Sequence, residues 1–324
     1  MARGILTPSR LREISKRQMP SRWGPSYIPA IKATRDEAPA SSEPSTAYSA
    51  LLQRNVHSMS RPERVMLAVA LYSRSTFELH EQHILLPKPG VHPLVGHPFA
   101  KGLTLPTTSG TINISERLGL FQYHPKVWET GADMKGSAPQ CFAAPWIGDF
   151  YVFLRDDAGP YVLSWDIKNA TGDHGRPGPG DWVSRSTPRK QSSSAARDEV
   201  YLEYMRELNI RVVRAASTEV DKELAKVLGR LLLVHHLPID LPPEQINELI
   251  EDYRGALSRG IPPTEVIEKH ARSGVSRQVA RHVLEQAIWQ RILRVDLYRP
   301  IITDKPLNPE KTDVLLAFHE WFRR

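Results

Sequence analysis

The chain has 324 residues, a net charge of +7 at pH 7, a single cysteine and no low-hydrophobicity bias, with 40% of its residues hydrophobic. That length suits two domains, each with its own core, while one cysteine excludes an internal disulfide framework or a Cys-rich zinc site and points to a reducing compartment. No apolar run approaches the roughly 20 residues of a membrane span, and the N-terminus lacks a signal-peptide apolar core, so the expectation is a soluble, cytoplasmic protein with no membrane partner and a basic surface suited to a polyanion.

Residues 1–48 read as a basic arm followed by a linker. Arg3, Arg10, Arg12, Lys16, Arg17, Arg22, Lys32 and Arg35 stand against one acid, Glu13, with Trp23 and Tyr27 interleaved. Such an arm suits phosphate contact, and it suits a solvated tail equally. Residues 36–48 are rich in Ala, Ser and Pro and read as the linker.

Ser60-Arg-Pro-Glu63 opens a run, Val65 to Tyr72, that is apolar all round and therefore predicts a buried helix. Ser60 and Glu63 fit a capping box. An acid on the first turn of such a helix also suits a site at the edge of a sheet, so Glu63 is a candidate for both roles. Phe77 to Leu86 predicts a first strand, on which Glu81 and His83 form the nearest alternative metal pair. The insertion 87–145 is rich in Pro, Gly and Thr, with a short strand expected at Thr111 to Ile114. Its His92, His97 and His124 have no recognisable ligand spacing.

The stretch Trp146 to Asn169 predicts a hairpin, because β-branched and aromatic residues fill both arms and Asp-Asp-Ala-Gly-Pro breaks them. With the loop at Asp156 to Gly159, Asp149 lies directly opposite Asp166, and Asp166 and Lys168 share a face. Two facing carboxylates repel each other at the roughly 5 Å of a cross-strand pair. A hard divalent cation resolves that repulsion: Mg²⁺, with Mn²⁺ as a substitute, takes carboxylate oxygens and keeps open positions for water or phosphate. Lys168, about 7 Å along the strand, would orient or deprotonate an attacking water, the layout of metal-dependent phosphodiester hydrolysis.

Beyond the hairpin, residues 172–195 hold almost no large apolar side chain and predict a mobile loop. Arg197 to Leu208 follows as a helix and Ile210 to Arg214 as a strand, giving helix, three strands, helix, strand. Glu219 to His235 closes a domain of residues 49–238. Residues 239–324 predict a helical, winged-helix-like domain: helices Glu244–Leu257, Thr264–Ala271 and Ser276–Gln290, a wing strand at Ile292–Tyr298, and a terminal helix Thr312–Phe322 that docks Trp321. Arg277, Arg281 and His282 would read DNA there, or be solvated on a protein-docking domain.

Gly148-Asp149 and Asp166-Ile167-Lys168 resemble the two halves of the PD-(D/E)xK nuclease motif. With Glu63, the helical C-terminal part and the segment Ala287 to Leu297 followed by Pro300-Ile301, residues 50–310 resemble the TnsA family, the endonuclease subunit of heteromeric bacterial transposases. Asp166 stands where Gln or Glu is more usual. The resemblance implies an α/β fold with a restriction-endonuclease-like αβββαβ core. Glu63, Asp149 and Asp166 are implied as metal-site groups and Lys168 as the catalytic lysine. It also implies cleavage of double-stranded DNA at the 5′ ends of the element, with an integrase-type transposase subunit and an ATPase regulator as partners. A stand-alone restriction or repair nuclease of this fold, or an inactive DNA-binding or assembly protein, are the alternatives.

Overall fold

The computed structural model describes residues 6–129, 140–173 and 188–324. Helix α1 (Pro8–Gln18) precedes a small antiparallel pair, β1 (Ser45–Ser49) and β2 (Arg54–Ser58). Helix α2 (Arg61–Tyr72) follows, opened by Ser60, whose hydroxyl accepts the Glu63 N–H; Pro62 suits its first turn because the missing N–H is an orphan there anyway. The chain continues as β3 (Thr76–Leu85), the two-residue pair β4 (Gly90–Val91) and β5 (Thr107–Thr108), α3 (Gly110–Arg117), and the pair β6 (Lys126–Glu129) and β7 (Gln140–Ala143). Strands β8 (Trp146–Asp156) and β9 (Gly159–Lys168) form the hairpin, and α4 (Pro188–Glu207) crosses to β10 (Arg211–Ala216).

The central sheet has the order β10-β9-β8-β3, antiparallel except for the parallel β9/β10 pair that α4 connects. The fold is therefore mixed α/β; around the central sheet the elements run α2, β3, β8, β9, α4 and β10, with β4, β5, α3, β6 and β7 between β3 and β8. The hairpin register is the expected one: Asp156 faces Gly159, Tyr151 faces Ser164 and Phe150 faces Trp165. Gly159 supplies the φ of 110° that closes the turn.

Strict alternation along β8 and β9 divides the core into two layers. Phe150, Val152, Leu154, Leu163, Trp165 and Ile167 pack with α2 and with α5 (Lys222–Val234) on one face. Tyr151, Phe153 and Val162 pack with Val200, Tyr204 and Met205 of α4 on the other. The first cluster runs on without a break into α6 (Pro243–Arg259), α7 (Pro263–Arg272) and α8 (Arg277–Trp289), across the expected boundary at 238/239.

Several elements differ from the sequence expectation. Thr111 to Ile114 is the middle of α3 and not a strand; its β-branched residues are overridden by tertiary contacts, with Ser109 held by Glu207 of α4 and Ile114 fully buried. Helix α4 begins at Pro188, inside the expected loop 172–195, of which residues 174–187 lie outside the described residues. The expected wing strand is reduced to one bridge, Val295 to Pro309. Arg277 and Arg281 are ion-paired with Glu268 and Glu285. The terminal helix is two single turns, α9 (Val314–Ala317) and α10 (His319–Phe322). Trp321 is docked as expected, its carbonyl accepting the indole N–H of the fully buried Trp165 at 3.1 Å.

The basic arm folds back in part: Arg10 and Arg17 both clamp Glu37, and β1 begins at Ser45, inside the expected linker. Among the described residues, no helix is long and apolar enough to cross a membrane.

Candidate functional site

Asp149 leaves β8 three residues into the strand, and Asp166 and Lys168 end β9 beside it. All three lie on the α4 face of the sheet. Lys168 Nζ is 2.7 Å from Asp166 Oδ1 and 3.9 Å from Asp149 Oδ2, so one ammonium answers both carboxylates. Asp149 Oδ2 also accepts the Ile167 N–H at 2.7 Å. Together with Gly148, Ser194, Arg197, Asp198 and Tyr201 these residues line a cleft of about 60 Å³.

Burial pushes the Asp149 carboxyl above the usual range; Lys168 acts against that shift and Asp166 adds to it. For Lys168, burial works against the charged form, yet Asp149 and Asp166 outweigh it and hold the ammonium above its ordinary pKa. Lys168 thus stands in the cleft as a positive charge shared between the two acids.

Glu63 is buried at the first turn of α2, on the other side of the sheet's end. Both oxygens are engaged: Oε1 accepts the Ser60 hydroxyl at 2.9 Å, and Oε2 accepts the Met59 N–H at 2.8 Å and the Gln82 amide at 3.1 Å. The Ser60 cap is therefore formed, but the Glu63 side chain takes the N–H of Met59 and not that of Ser60, so the expected reciprocal capping box is not. Burial, then repulsion from Asp149, raises its pKa to about 7, which places the two acids within electrostatic reach. They do not share one ligand sphere: Glu63, Asp149 and Asp166 are not a group with ligand atoms within 4.8 Å of one another. Among the described residues Glu248, Asp252 and His270 form the one such group, and it could hold a metal ion. In that group Lys269 Nζ already lies 2.6 Å from Asp252 Oδ2.

The alternative pair on β3 is taken apart. Glu81 is fully buried and accepts two bonds from Arg54, at 2.8 and 2.9 Å, whereas the His83 ring stacks on Tyr151 at 3.5 Å. The insertion histidines serve local structure: His92 and His97 accept the Leu94 and Phe99 N–H groups, and His124 bonds to the Thr111 hydroxyl.

Three residues at the site escaped the sequence reading. Arg197 donates to the Ile147 carbonyl at 2.8 Å from the exposed rim of the cleft, and Tyr201 bonds the Ser164 hydroxyl at 2.7 Å. Their spacing of four on one helix face is a signal that was available. Gln82 left no such trace.

A far larger cavity, about 910 Å³, lies between α1, the end of β3 and residues 142–145. It contains none of the carboxylates or the lysine of the cleft. The chemistry favours the small cleft, since ionisable groups of opposite sign converge there. In comparisons with known proteins, no family model and no curated protein matches this chain.

Proposed function

We propose that this chain is a Mg²⁺-dependent DNA endonuclease of the restriction-endonuclease-like αβββαβ type, acting as the 5′-end-cleaving subunit of a heteromeric transposase. The observation that carries the reading is the meeting of Asp149, Asp166 and Lys168 on two adjacent strands, with the lysine 2.7 and 3.9 Å from the two acids. Two neighbouring carboxylates are a fitting donor set for Mg²⁺ or Mn²⁺, which bind through one or two acids and otherwise keep water. Asp149 and Asp166 would hold the ion, and Glu63 would assist from the end of α2 through its charge.

The bound ion would polarise a phosphodiester oxygen and lower the pKa of a bound water. Lys168 orients the attacking water and offsets the negative charge that builds on the phosphate. Arg197, exposed at the rim, meets the phosphate of the entering strand. A cleft of about 60 Å³ is far below the roughly 300–1,000 Å³ of a small-molecule pocket, which favours a substrate lying across its mouth, as a polymer backbone does. The net charge of +7 suits double-stranded DNA. The integrase-type subunit and the ATPase regulator follow from the TnsA resemblance, and a cytoplasmic setting from the single cysteine.

Plasmid cleavage tests the reading: the purified chain with Mg²⁺ or Mn²⁺, with and without the partner subunits, on DNA carrying or lacking element ends. Cleavage at the 5′ ends only with partners is the expected result. Efficient cleavage by the chain alone would favour a stand-alone restriction or repair nuclease. Unchanged cleavage by Asp149→Ala and Lys168→Ala would retire the catalytic assignment and leave a binding or assembly role.

A further inference from the structure

Gln82 has a φ of 48° inside β3. A residue with a Cβ is disfavoured in this left-handed region, and a strand interior offers no turn that would call for it. Among the described residues, the other non-glycine positions with positive φ, Gln53, Asn209 and Arg291, all lie outside the named strands and helices. Strain of this kind persists where the surroundings over-determine it, and it gathers at functional sites.

The surroundings here are specific. Glu81 pairs with Phe150 and His83 with Gly148, so Gln82 stands level with Asp149 across the β3/β8 ladder. Its side chain is buried and its amide nitrogen donates to Glu63 Oε2 at 3.1 Å. Its carbonyl leaves the ladder and accepts the Ala30 N–H at 3.0 Å. The distortion therefore releases one residue from the sheet at the position that is level with Asp149 and bonded to Glu63.

We propose that Gln82 is a positioning residue of the cleft, held in a left-handed conformation so that its amide fixes the Glu63 carboxylate at the level of Asp149 in the sheet. This rests on the reading of Asp149 and Asp166 as a cation site. The amide is neutral, so it orients an acid without cancelling the charge that a cation requires; a lysine or arginine at this position would cancel it.

The test uses the full chain with Gln82→Gly and Gln82→Asn. Glycine relieves the backbone and asparagine tolerates it, while neither reaches Glu63; both keep the carbonyl bond to Ala30. Mn²⁺ affinity is read by electron paramagnetic resonance of the free ion, thermal unfolding is read without metal, and kcat and KM are read on DNA where cleavage occurs. The expected result is a fall in Mn²⁺ affinity of about 10-fold, the lower end for groups that act on a metal site from outside its ligand shell. The metal-free unfolding temperature stays within a few degrees of the native chain, and kcat falls with KM unchanged. Gln82→Met, which keeps the length and packing of the side chain but has no amide donor, separates packing from positioning by retaining the unfolding temperature while the affinity falls as in the shorter variants. Native Mn²⁺ affinity in folded Gln82→Gly and Gln82→Asn overturns the proposal, as does a native chain that binds no Mn²⁺. A native chain that binds Mn²⁺ yet never cuts DNA removes the nuclease reading alone, because the affinity comparison still decides the role of Gln82.

Discussion

Asp149 Oδ2 accepts the backbone N–H of Ile167 at 2.7 Å, so an acid of the candidate site also closes the β8/β9 ladder where its backbone pairing ends. A hydrogen bond to a charged acceptor contributes about 1.5–3 kcal/mol. Asp149→Ala should therefore destabilise the fold by about that amount, whereas Asp149→Asn keeps an acceptor and should stay within about 1 kcal/mol of the native chain. Cleavage should fall to background in both. Urea unfolding beside a nicking assay checks the pair, and Asp149→Asn that cuts normally would be inconsistent with a metal-holding role.

Lys168 supplies the positive charge facing Asp149 and Asp166. Removing it in Lys168→Met leaves the two acids facing each other in a partly buried cleft, so the metal-free protein should lose stability. Mn²⁺ should then raise the unfolding temperature more in Lys168→Met than in the native chain, because binding adds stability in proportion to the logarithm of occupancy and the ion no longer competes with an ammonium. Lys168→Arg should not restore cleavage, since the planar guanidinium is not a point charge of the same reach. Equal Mn²⁺ shifts in native and Lys168→Met proteins would count against a shared cation site.

Arg54 and Glu81 form a buried ion pair beneath the sheet, with Glu81 fully buried and Arg54 7% exposed. Breaking such a pair from one side costs about 3–5 kcal/mol, because the other charge is left buried. Arg54→Met should show a loss of that order in denaturant unfolding, and the double change Arg54→Met with Glu81→Met should recover most of it. Recovery would show that the cost belongs to the charge left unpaired.

Asp313 caps α9 through the Leu315 N–H at 2.8 Å and binds Arg291 and Arg294. Burial pushes its pKa up, but the arginines and the cap win and hold it at about 2. A carboxyl depressed on folding stabilises the protein above its unfolded pKa of about 4, and that contribution is lost as pH falls through about 2. Solvent screening at this near-surface site holds the contribution to about 1 kcal/mol. Trp321 fluorescence should report loosening of the C-terminal turns between about pH 4 and pH 2 in the native chain. Asp313→Asn should already be loosened at pH 7 and show no such transition. A native acid transition that persists unchanged in Asp313→Asn would assign it to another group.

The hairpin was legible because its determinants are local. Asp156 to Gly159 sets the turn, the turn sets the register, and a period of two then assigns Asp149, Asp166 and Lys168 to one side. Helix α2 was legible for the same reason: Ser60, Pro62 and Glu63 mark its start, and the apolar run that follows has to be buried. The sequence by itself thus determined the order of the central elements and which charged residues meet on β8 and β9. Tertiary structure alone decided that Gln82 reaches Glu63 and that Glu63 stays outside the ligand reach of the two aspartates, that Thr111 to Ile114 coil into α3 against α4, and that Gln82 leaves the strand pattern. Those outcomes depend on contacts between segments far apart in the chain, whose combined packing and hydrogen bonding outweigh local preferences of about 1 kcal/mol per residue or less.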